Sequence, residues 1–336
     1  MRRLPLGLVL CYVVGYVLWR LALRTPLYSQ IWQLPLSELF GSWLYLPLPL
    51  LAILALLVRS RWALILLLIP GCFFAAEYGR QFLPNWQTVW QPPPATAPLR
   101  ILTWNTLYTT DREGELQALL HQLQPDIVAL QELSYLLTRR LSQEMADDYP
   151  HQAVDMGGST GGLALLSRYP LRLLDQPRGP ISCQCLVAEA QVGDQRIRLI
   201  VVHIWRPELD ARRVNGVPTV ATFSDRYQTP IFNQLLAQIE QGAGPLVVMG
   251  DFNTTERQPN YRRLRTLLDD AFAQAGWGMG YTYPVNDSVR GIPLPRLIRI
   301  DHILVSPEWQ ARAAWTGSLP TSDHGYVVAD LALRRE

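Results

Sequence analysis

PLVVMGDFN, residues 245–253, is an apolar run that ends abruptly on a glycine, a carboxylate and an amide. A run this short, closed by turn-forming side chains, reads as a buried strand. It predicts a strand over 245–249 that delivers Gly250, Asp251, Phe252 and Asn253 to its end. The same pattern recurs on both sides of it. Upstream, 99–104 reads as a strand ending on Asn105, and 126–130 as one ending on Gln131 and Glu132. A further short strand is expected over 163–167. Strands 186–192 and 196–203 flank Gly193-Asp194 as a hairpin that ends on His203. Downstream, Asp301 opens a strand over 301–305, and Ser322-Asp323-His324 precede one over 326–332. Leu116, Leu119, Leu120 and Leu123 recur at helical spacing, and 231–239 reads as a helix. Strands alternating with amphipathic helices over about 240 residues can bury a large core and predict an α/β or α+β class, with sheets inside helices.

Polar residues thus collect at strand ends. Singly, each has a plain explanation: a strand-end Asn or Asp is commonly a turn residue, and a lone His or Glu is commonly structural or solvated. Six such sites in one domain, holding three of the chain's five histidines (His203, His302 and His324), point to chemistry. His302 follows Asp301 in its strand and is expected on the opposite face, so it is left out of the site.

Composition separates this domain from what precedes it. Only 17% of the 336 residues are charged, below the ~25% usual in soluble domains. Residues 1–94 carry seven Arg and two acids, a net +5. Taken from totals of 30 and 28, that leaves 23 basic and 26 acidic residues, a net −3, for 95–336. A disordered chain, a collagen-like chain and a disulfide-stapled mini-protein are excluded. The acidic C-terminal part also lacks the footprint of a polybasic nucleic-acid binder. Cys11 and Cys72 read as free thiols in apolar runs. Cys183 and Cys185 are too close for an unstrained bridge on one strand and fall outside zinc spacing, so neither role is expected.

Three apolar runs, 4–23, 39–58 and 62–78, predict a membrane anchor of about three transmembrane helices over 1–83. Arg59-Ser60-Arg61 separates the last two as a tight turn. Residues 84–98 contain five prolines and read as a semi-rigid spacer, and 99–336 as the catalytic domain. With three spans and Arg2 and Arg3 inside, the domain lies outside an inner, multi-pass cell membrane. Two spans would place it in the cytoplasm. The bilayer is the expected partner of the N-terminal helices.

ILTWN, DIVALQE, GGLALLSRYPL, VVHIW, VVMGDFN, RIDHILV and SDHGYVVADL, in this order, resemble the endonuclease/exonuclease/phosphatase family. The resemblance spans about 99–333 and implies a four-layered sandwich of two packed β-sheets flanked by helices, with the site at one edge. It implies metal-dependent hydrolysis of a phosphoester by an activated water. Glu132 is then the candidate for direct Mg²⁺ ligation, Mn²⁺ serving equally, with Asn105 beside it. Asp251 would orient or deprotonate the water, and Asn253 would hydrogen-bond the phosphoryl oxygen. Asp301 would fix the imidazole of His324, which stabilises transition-state charge, and Asp323 would join the metal network. His203 matches a second phosphate-contacting His. AP endonucleases carry Asn there and Tyr where this chain has Ile200, so that branch does not fit. Arg206, Arg213 and Arg226, in a long connection over 205–230, are candidate substrate-binding side chains. The expected function is a membrane-anchored phosphomonoesterase or phosphodiesterase. The alternatives are a nuclease, which the charge does not indicate, and a catalytically silent membrane-bound scaffold.

Overall fold

A computed structural model describes residues 3–83, 98–108, 114–156, 161–176, 184–214, 217–289 and 291–334. The chain divides into two compact units. One comprises Met1–Leu83 with Pro207–Arg226, and the other Pro84–Arg206 with Tyr227–Glu336.

The first unit is mainly helical: α1 (Arg3–Ala22), α2 (Leu27–Gln30), α3 (Gln33–Leu39), α4 (Pro47–Leu57) and α5 (Arg61–Tyr78). The 4–23 and 62–78 runs are helices as expected, and Ser60 caps α5 through its side chain. The 39–58 run is not one helix. A 3₁₀ turn over Gly41–Tyr45 precedes α4, and Gln33–Leu39 meets Gly41–Leu57 at 76°. Pro47 opens α4 and Pro49 follows, and neither can donate the backbone hydrogen bond that would join α4 to the 3₁₀ turn as one α-helix. Arg20 and Glu77 pair near the C-terminal ends of α1 and α5, where Tyr16 and Phe73 also meet, their ring centroids 5.9 Å apart. Val9 and Val13 share a buried cluster with Ala63 and Leu67 of the N-terminal halves. The two helices therefore run in the same direction. Between them, Tyr45 bonds Tyr16 and Glu77 at one end and Ala55 joins the Val9 cluster at the other, so α4 runs back. Residues 208–224, expected to be part of an irregular connection, form a β-hairpin of Glu208–Val214 and Val217–Ser224 that packs against α3.

The second unit supplies β1 (Leu99–Asn105), α6 (Glu115–Leu123), β2 (Ile127–Leu133), α7 (Tyr135–Glu144), β3 (His151–Asp155), β4 (Gly162–Ser167), β5 (Leu171–Leu173), β6 (Gln184–Val192) and β7 (Gln195–His203). With the hairpin strands counted as β8 and β9, it continues with α8 (Gln228–Glu240), β10 (Leu246–Asp251), α9 (Pro259–Leu264), β11 (Asp269–Asp270) and α10 (Ala271–Ala275). It ends with the short pair β12 (Ser288–Val289) and β13 (Ile292–Pro293), then β14 (Asp301–Val305), β15 (Trp309–Ser318) and β16 (Gly325–Leu333). One sheet has the order β15-β16-β1-β2-β4-β3 and the other β11-β14-β10-β7-β6-β5. The core between the sheets includes Ile101, Leu165, Leu199, Val247, Ile303 and Val327. A second core lies under α8 and α9 and a third under α6 and α7. This is the four-layered sandwich that the resemblance implies, with each strand's two faces feeding different cores.

Every strand and helix expected in this unit is present. Strands β3 and β15 and helix α7, however, escape the hydropathy pattern. Cys185 is disulfide-bonded, against expectation; Cys183 lies outside the described residues, and Cys11 and Cys72 are free. The proline-rich spacer also falls almost wholly outside them.

Gly250 shows how tightly the second sheet is built. Its φ is 142°, and a Cβ there would stand 2.0 Å from the Val202 carbonyl oxygen of β7. Gly250→Ala is expected to cost about 2–3 kcal/mol, as overpacking of a fixed backbone does, and to lower the melting temperature by about 5–10 °C. Thermal unfolding of the detergent-solubilised chain followed by circular dichroism checks this; an unchanged midpoint would contradict it.

Candidate active site

Strand register brings the site together. In the second sheet, Asp251 of β10 lies directly opposite His203 on parallel β7 and Asp301 on antiparallel β14. In the first, Asn105 of β1 lies opposite Gln131 on parallel β2, and Glu132 follows. The β2–β4 register shifts between Leu130 and Leu133, and Glu132 sits in that irregularity with φ 54°, a bulge that re-aims its side chain. Gly161 packs behind it: a Cβ there would lie 2.8 Å from the Glu132 Cα. His324 precedes β16, its N–H held by the Ser322 hydroxyl (3.0 Å), which itself donates to the Asn105 carbonyl (2.7 Å).

The Asn105 amide joins the two sheets, donating to Glu132 Oε1 (3.0 Å) and to Asp251 Oδ2 (3.1 Å). Its own Oδ1 accepts the Leu107 N–H at 3.1 Å. Asp251 also accepts from the Asn253 N–H (2.8 Å) and Nδ2 (3.0 Å), and Asn253 Nδ2 reaches the Ile204 carbonyl at 2.9 Å. The Nε2 atoms of His203 and His324 each stand 3.8 Å from Asp251 Oδ2. His203 Nε2 lies 3.2 Å from Glu132 Oε1, and His324 Nδ1 donates to Asp301 at 3.0 Å. Asp251, Asp301, His203 and His324 are all buried, whereas the Glu132 side chain keeps 22% of its surface open.

These contacts set the charges. Burial alone would raise the Glu132 carboxyl, but hydrogen bonds from His203 and Asn105 hold it down at about 2. Burial pushes Asp251 up to about 6 against the pull of the His324 charge. Burial works against the His324 imidazolium, yet the Asp301 and Asp251 carboxylates carry it up to about 10. His203 is raised by Glu132 and Asp251 despite its own burial. A carboxylate near neutrality beside a persistent imidazolium is a base-and-cation pair of the kind proton-transfer chemistry uses.

Asp323 lies apart from the tightest groups. Burial raises its carboxyl, it feels the charges of His324 and Glu132, and its Oδ1 is buried without a hydrogen-bond partner. His302 points away from the site, as expected, its Nε2 on the Thr254 carbonyl at 2.9 Å. Of the three candidate arginines, Arg206 is exposed, and its charge is felt by Tyr283. Arg226 belongs to the helical unit, where its guanidinium donates to the Ser29 carbonyl and Asp225 meets Tyr28. The Arg213 side chain is outside the described residues. Tyr283, which sequence reasoning missed, packs its ring on His324 with centroids 4.9 Å apart; nothing in hydropathy or spacing marks it.

A divalent ion fits this donor set. One atom from each of Glu132, His203 and Asp251 lies within 4.8 Å of the others, as do those of Asp251, Asp301 and His324. Most donors are hard oxygens, and the unpartnered Asp323 Oδ1 adds another close by.

Residues 102–324 match the model of a family described as the Endonuclease/Exonuclease/phosphatase family. No curated protein matches the chain. Among solved structures, the endonuclease/exonuclease/phosphatase from Beutenbergia cavernae DSM 12333 is similar at 18% identity and TM-score 0.52, over 71% of this chain and 72% of that one. The corresponding protein from Bacteroides vulgatus gives 18% and 0.51, over 71% and 100%. D. rerio TDP2 complexed with single strand DNA product gives 18% and 0.52, over 70% and 99%. At these identities the likeness is one of fold.

Asp301→Asn removes the charge that favours the His324 imidazolium while keeping a hydrogen-bond acceptor. The imidazole pKa is expected to fall from about 10 toward the ordinary ~6.5. Histidine NMR titration reads this directly, and an unshifted resonance would disprove the pairing.

Proposed function

Because the chain belongs to the endonuclease/exonuclease/phosphatase family, whose members are phosphoester hydrolases, we propose that it is a membrane-anchored, divalent-metal-dependent phosphoesterase. One observation carries this reading: a buried carboxylate, Asp251, flanked by two imidazoles and two amides, with Glu132 opening beside it to solvent. Asp251 is the general base. Its neighbours hold Oδ2 in place, and above about 6 it is ionised and takes the proton from the attacking water. The water oxygen forms a bond to phosphorus while the bond to the leaving oxygen breaks on the opposite side. Charge gathers on the non-bridging phosphoryl oxygens, where His324, protonated below about 10, and His203 present Nε2. Asn253 donates from its backbone N–H and its amide to Asp251 and keeps that carboxylate oriented. Asp301 positions His324 rather than reacting. Glu132 and Asn105, with Asp323 beside them, would hold Mg²⁺ or Mn²⁺, which supplies charge neutralisation at the phosphate. Arg206, exposed and with its charge felt by Tyr283, would meet substrate.

The helical unit supplies the anchor. Two of its helices are long and apolar enough to cross a membrane, and a third pass is made if the bent α3–α4 segment counts as one. At ~1.5 Å per α-helical residue and ~2.0 Å per 3₁₀ residue, α1, the Gly41–Leu57 segment and α5 each approach the ~30 Å of a bilayer core. Parallel α1 and α5 require the chain to return between them, and α4 runs the opposite way. Three passes put Leu83 on the side opposite the start of α1. Arg2, Arg3, Arg59 and Arg61 lie at the inner ends, against Arg20, Arg24 and Arg80 at the outer. The catalytic unit is thus extracytoplasmic.

With a bis-(p-nitrophenyl) phosphate substrate and Mg²⁺, Asp251→Asn and His324→Ala are each expected to lose about 10²–10³ in rate with the fold retained. Excess EDTA should abolish turnover. Mutants near the wild-type rate, or full activity in chelator, would refute the assignment. For the anchor, alkaline phosphatase fused after Glu336 should be active and a cytoplasm-only fluorescent fusion dark. The reverse pattern would mean two passes.

A further inference from the structure

The segment after β10, like the bulge at Glu132, carries a non-glycine residue at positive φ. Asn253 has φ 46°, a conformation uncommon for residues with a Cβ and most accessible to Asn and Asp. Asn253 must nevertheless keep its amide on Asp251 and on the Ile204 carbonyl. The segment after β7, which follows His203, comes alongside: the Ile204 N–H donates to the Asp251 carbonyl at 2.8 Å. What closes the two segments over each other is a residue from neither. Gln228, the first residue of α8 and 1% exposed, donates from Nε2 to the Trp205 carbonyl at 2.8 Å and to the Asn253 carbonyl at 3.0 Å. Its Oε1 is buried without a hydrogen-bond partner, so the side chain is placed by those two carbonyls rather than by its own acceptor.

We propose that Gln228 is a positioning residue for catalysis: one amide group that clamps the carbonyls following His203 and Asp251 and so holds Asn253 in its left-handed conformation. The proposal rests on the phosphoesterase reading for its effect on turnover, though not for its effect on the backbone. With the clamp gone, the Asn253–Thr254 peptide is free to turn toward the ordinary right-handed region. That rotation carries the Asn253 amide off Asp251. Gln228 touches no reacting atom, and its influence passes through Asn253. His302 braces the next carbonyl, that of Thr254, from the other face of the sheet, so Gln228 governs the site side of the turn alone.

The test is Gln228→Met, nearly isosteric and without donors, in the detergent-solubilised full chain with Mg²⁺ and bis-(p-nitrophenyl) phosphate. kcat should fall about 10–100-fold, the scale of a small misplacement of catalytic groups. KM should stay within about twofold, since a lost transition-state contact leaves ground-state binding alone. In an Asn253→Ala background the same substitution should cost nothing further, because a group acting through Asn253 has nothing left to position. Hydrogen exchange read by mass spectrometry should be faster over 252–256 and unchanged over 245–249. If Gln228→Met does not fold, Gln228→Glu, which has the same shape, takes its place in all three measurements. Wild-type kcat in the variant, an equal loss in both backgrounds, or unchanged exchange over 252–256 would overturn the clamp. An inactive wild type would count instead against the phosphoesterase reading, and the exchange measurement would still decide the clamp.

Discussion

Asp251 is a carboxylate at 1% exposure, and an ion in that position is costly unless hydrogen bonds and opposite charges replace the water it has lost. Three N–H donors, from Asn105 and Asn253, and two imidazoles at 3.8 Å do so. Each of these partners comes from a different place in the chain, and each has to arrive at the end of its own strand or turn. The burial of one carboxylate therefore constrains the register of β7, β10 and β14, the bulge in β2 and the turn before β16. It also explains why the charges differ so widely within a few ångströms. Glu132 accepts hydrogen bonds at an open edge and is held near 2, whereas Asp251 is enclosed and rises to about 6.

The reverse face of the same strands carries a second polar cluster. Arg299 pairs with Asp270 at 2.7 Å, Tyr261 donates to the same carboxylate, and His302 stands 3.5 Å from it, all of them buried. Burial alone would raise Asp270, but the Arg299 charge keeps its carboxyl well below the usual range. A buried pair of this kind contributes little net stability, yet removing one partner strands the other, typically at about 3–5 kcal/mol. Arg299 and His302 bracket Asp301 in sequence, so the pair fixes the strand that presents Asp301 to His324. Two faces of β14 thus do different work: one holds the strand, the other holds the imidazole.

What could be read from the sequence follows from this architecture. Asn105, Glu132, His203, Asp251 and Asp301 end or open strands whose hydropathy is plain, and His324 sits just before one, so their positions were readable from local pattern. Convergence was not, because it depends on parallel pairing of β1 with β2 and of β7 with β10, which no local pattern encodes. Tyr283 and Gln228 act through single tertiary contacts and leave no periodic trace. Arg226 is a related case: a basic residue in that connection invites a phosphate-binding role, while the partner its guanidinium meets, the Ser29 carbonyl, is 197 residues away. Hydropathy marks 39–58 as one run because it averages over the turn at Gly41–Tyr45 that separates α3 from α4.

The hairpin at 208–224 carries the same lesson into the organisation of the chain. It begins two residues beyond Arg206 and three beyond Trp205, whose carbonyl Gln228 holds, and it packs on α3 within the helical unit. The chain therefore leaves the catalytic unit between Arg206 and Pro207 and comes back between Arg226 and Tyr227. Both crossings adjoin site-bearing segments, since His203 lies just before the first and Gln228 just after the second. An insertion at a loop with no catalytic neighbours would need no internal fastening. Here the departing and returning chains flank the carbonyl that follows His203, and a buried side-chain amide at the start of α8 joins them to the segment after Asp251.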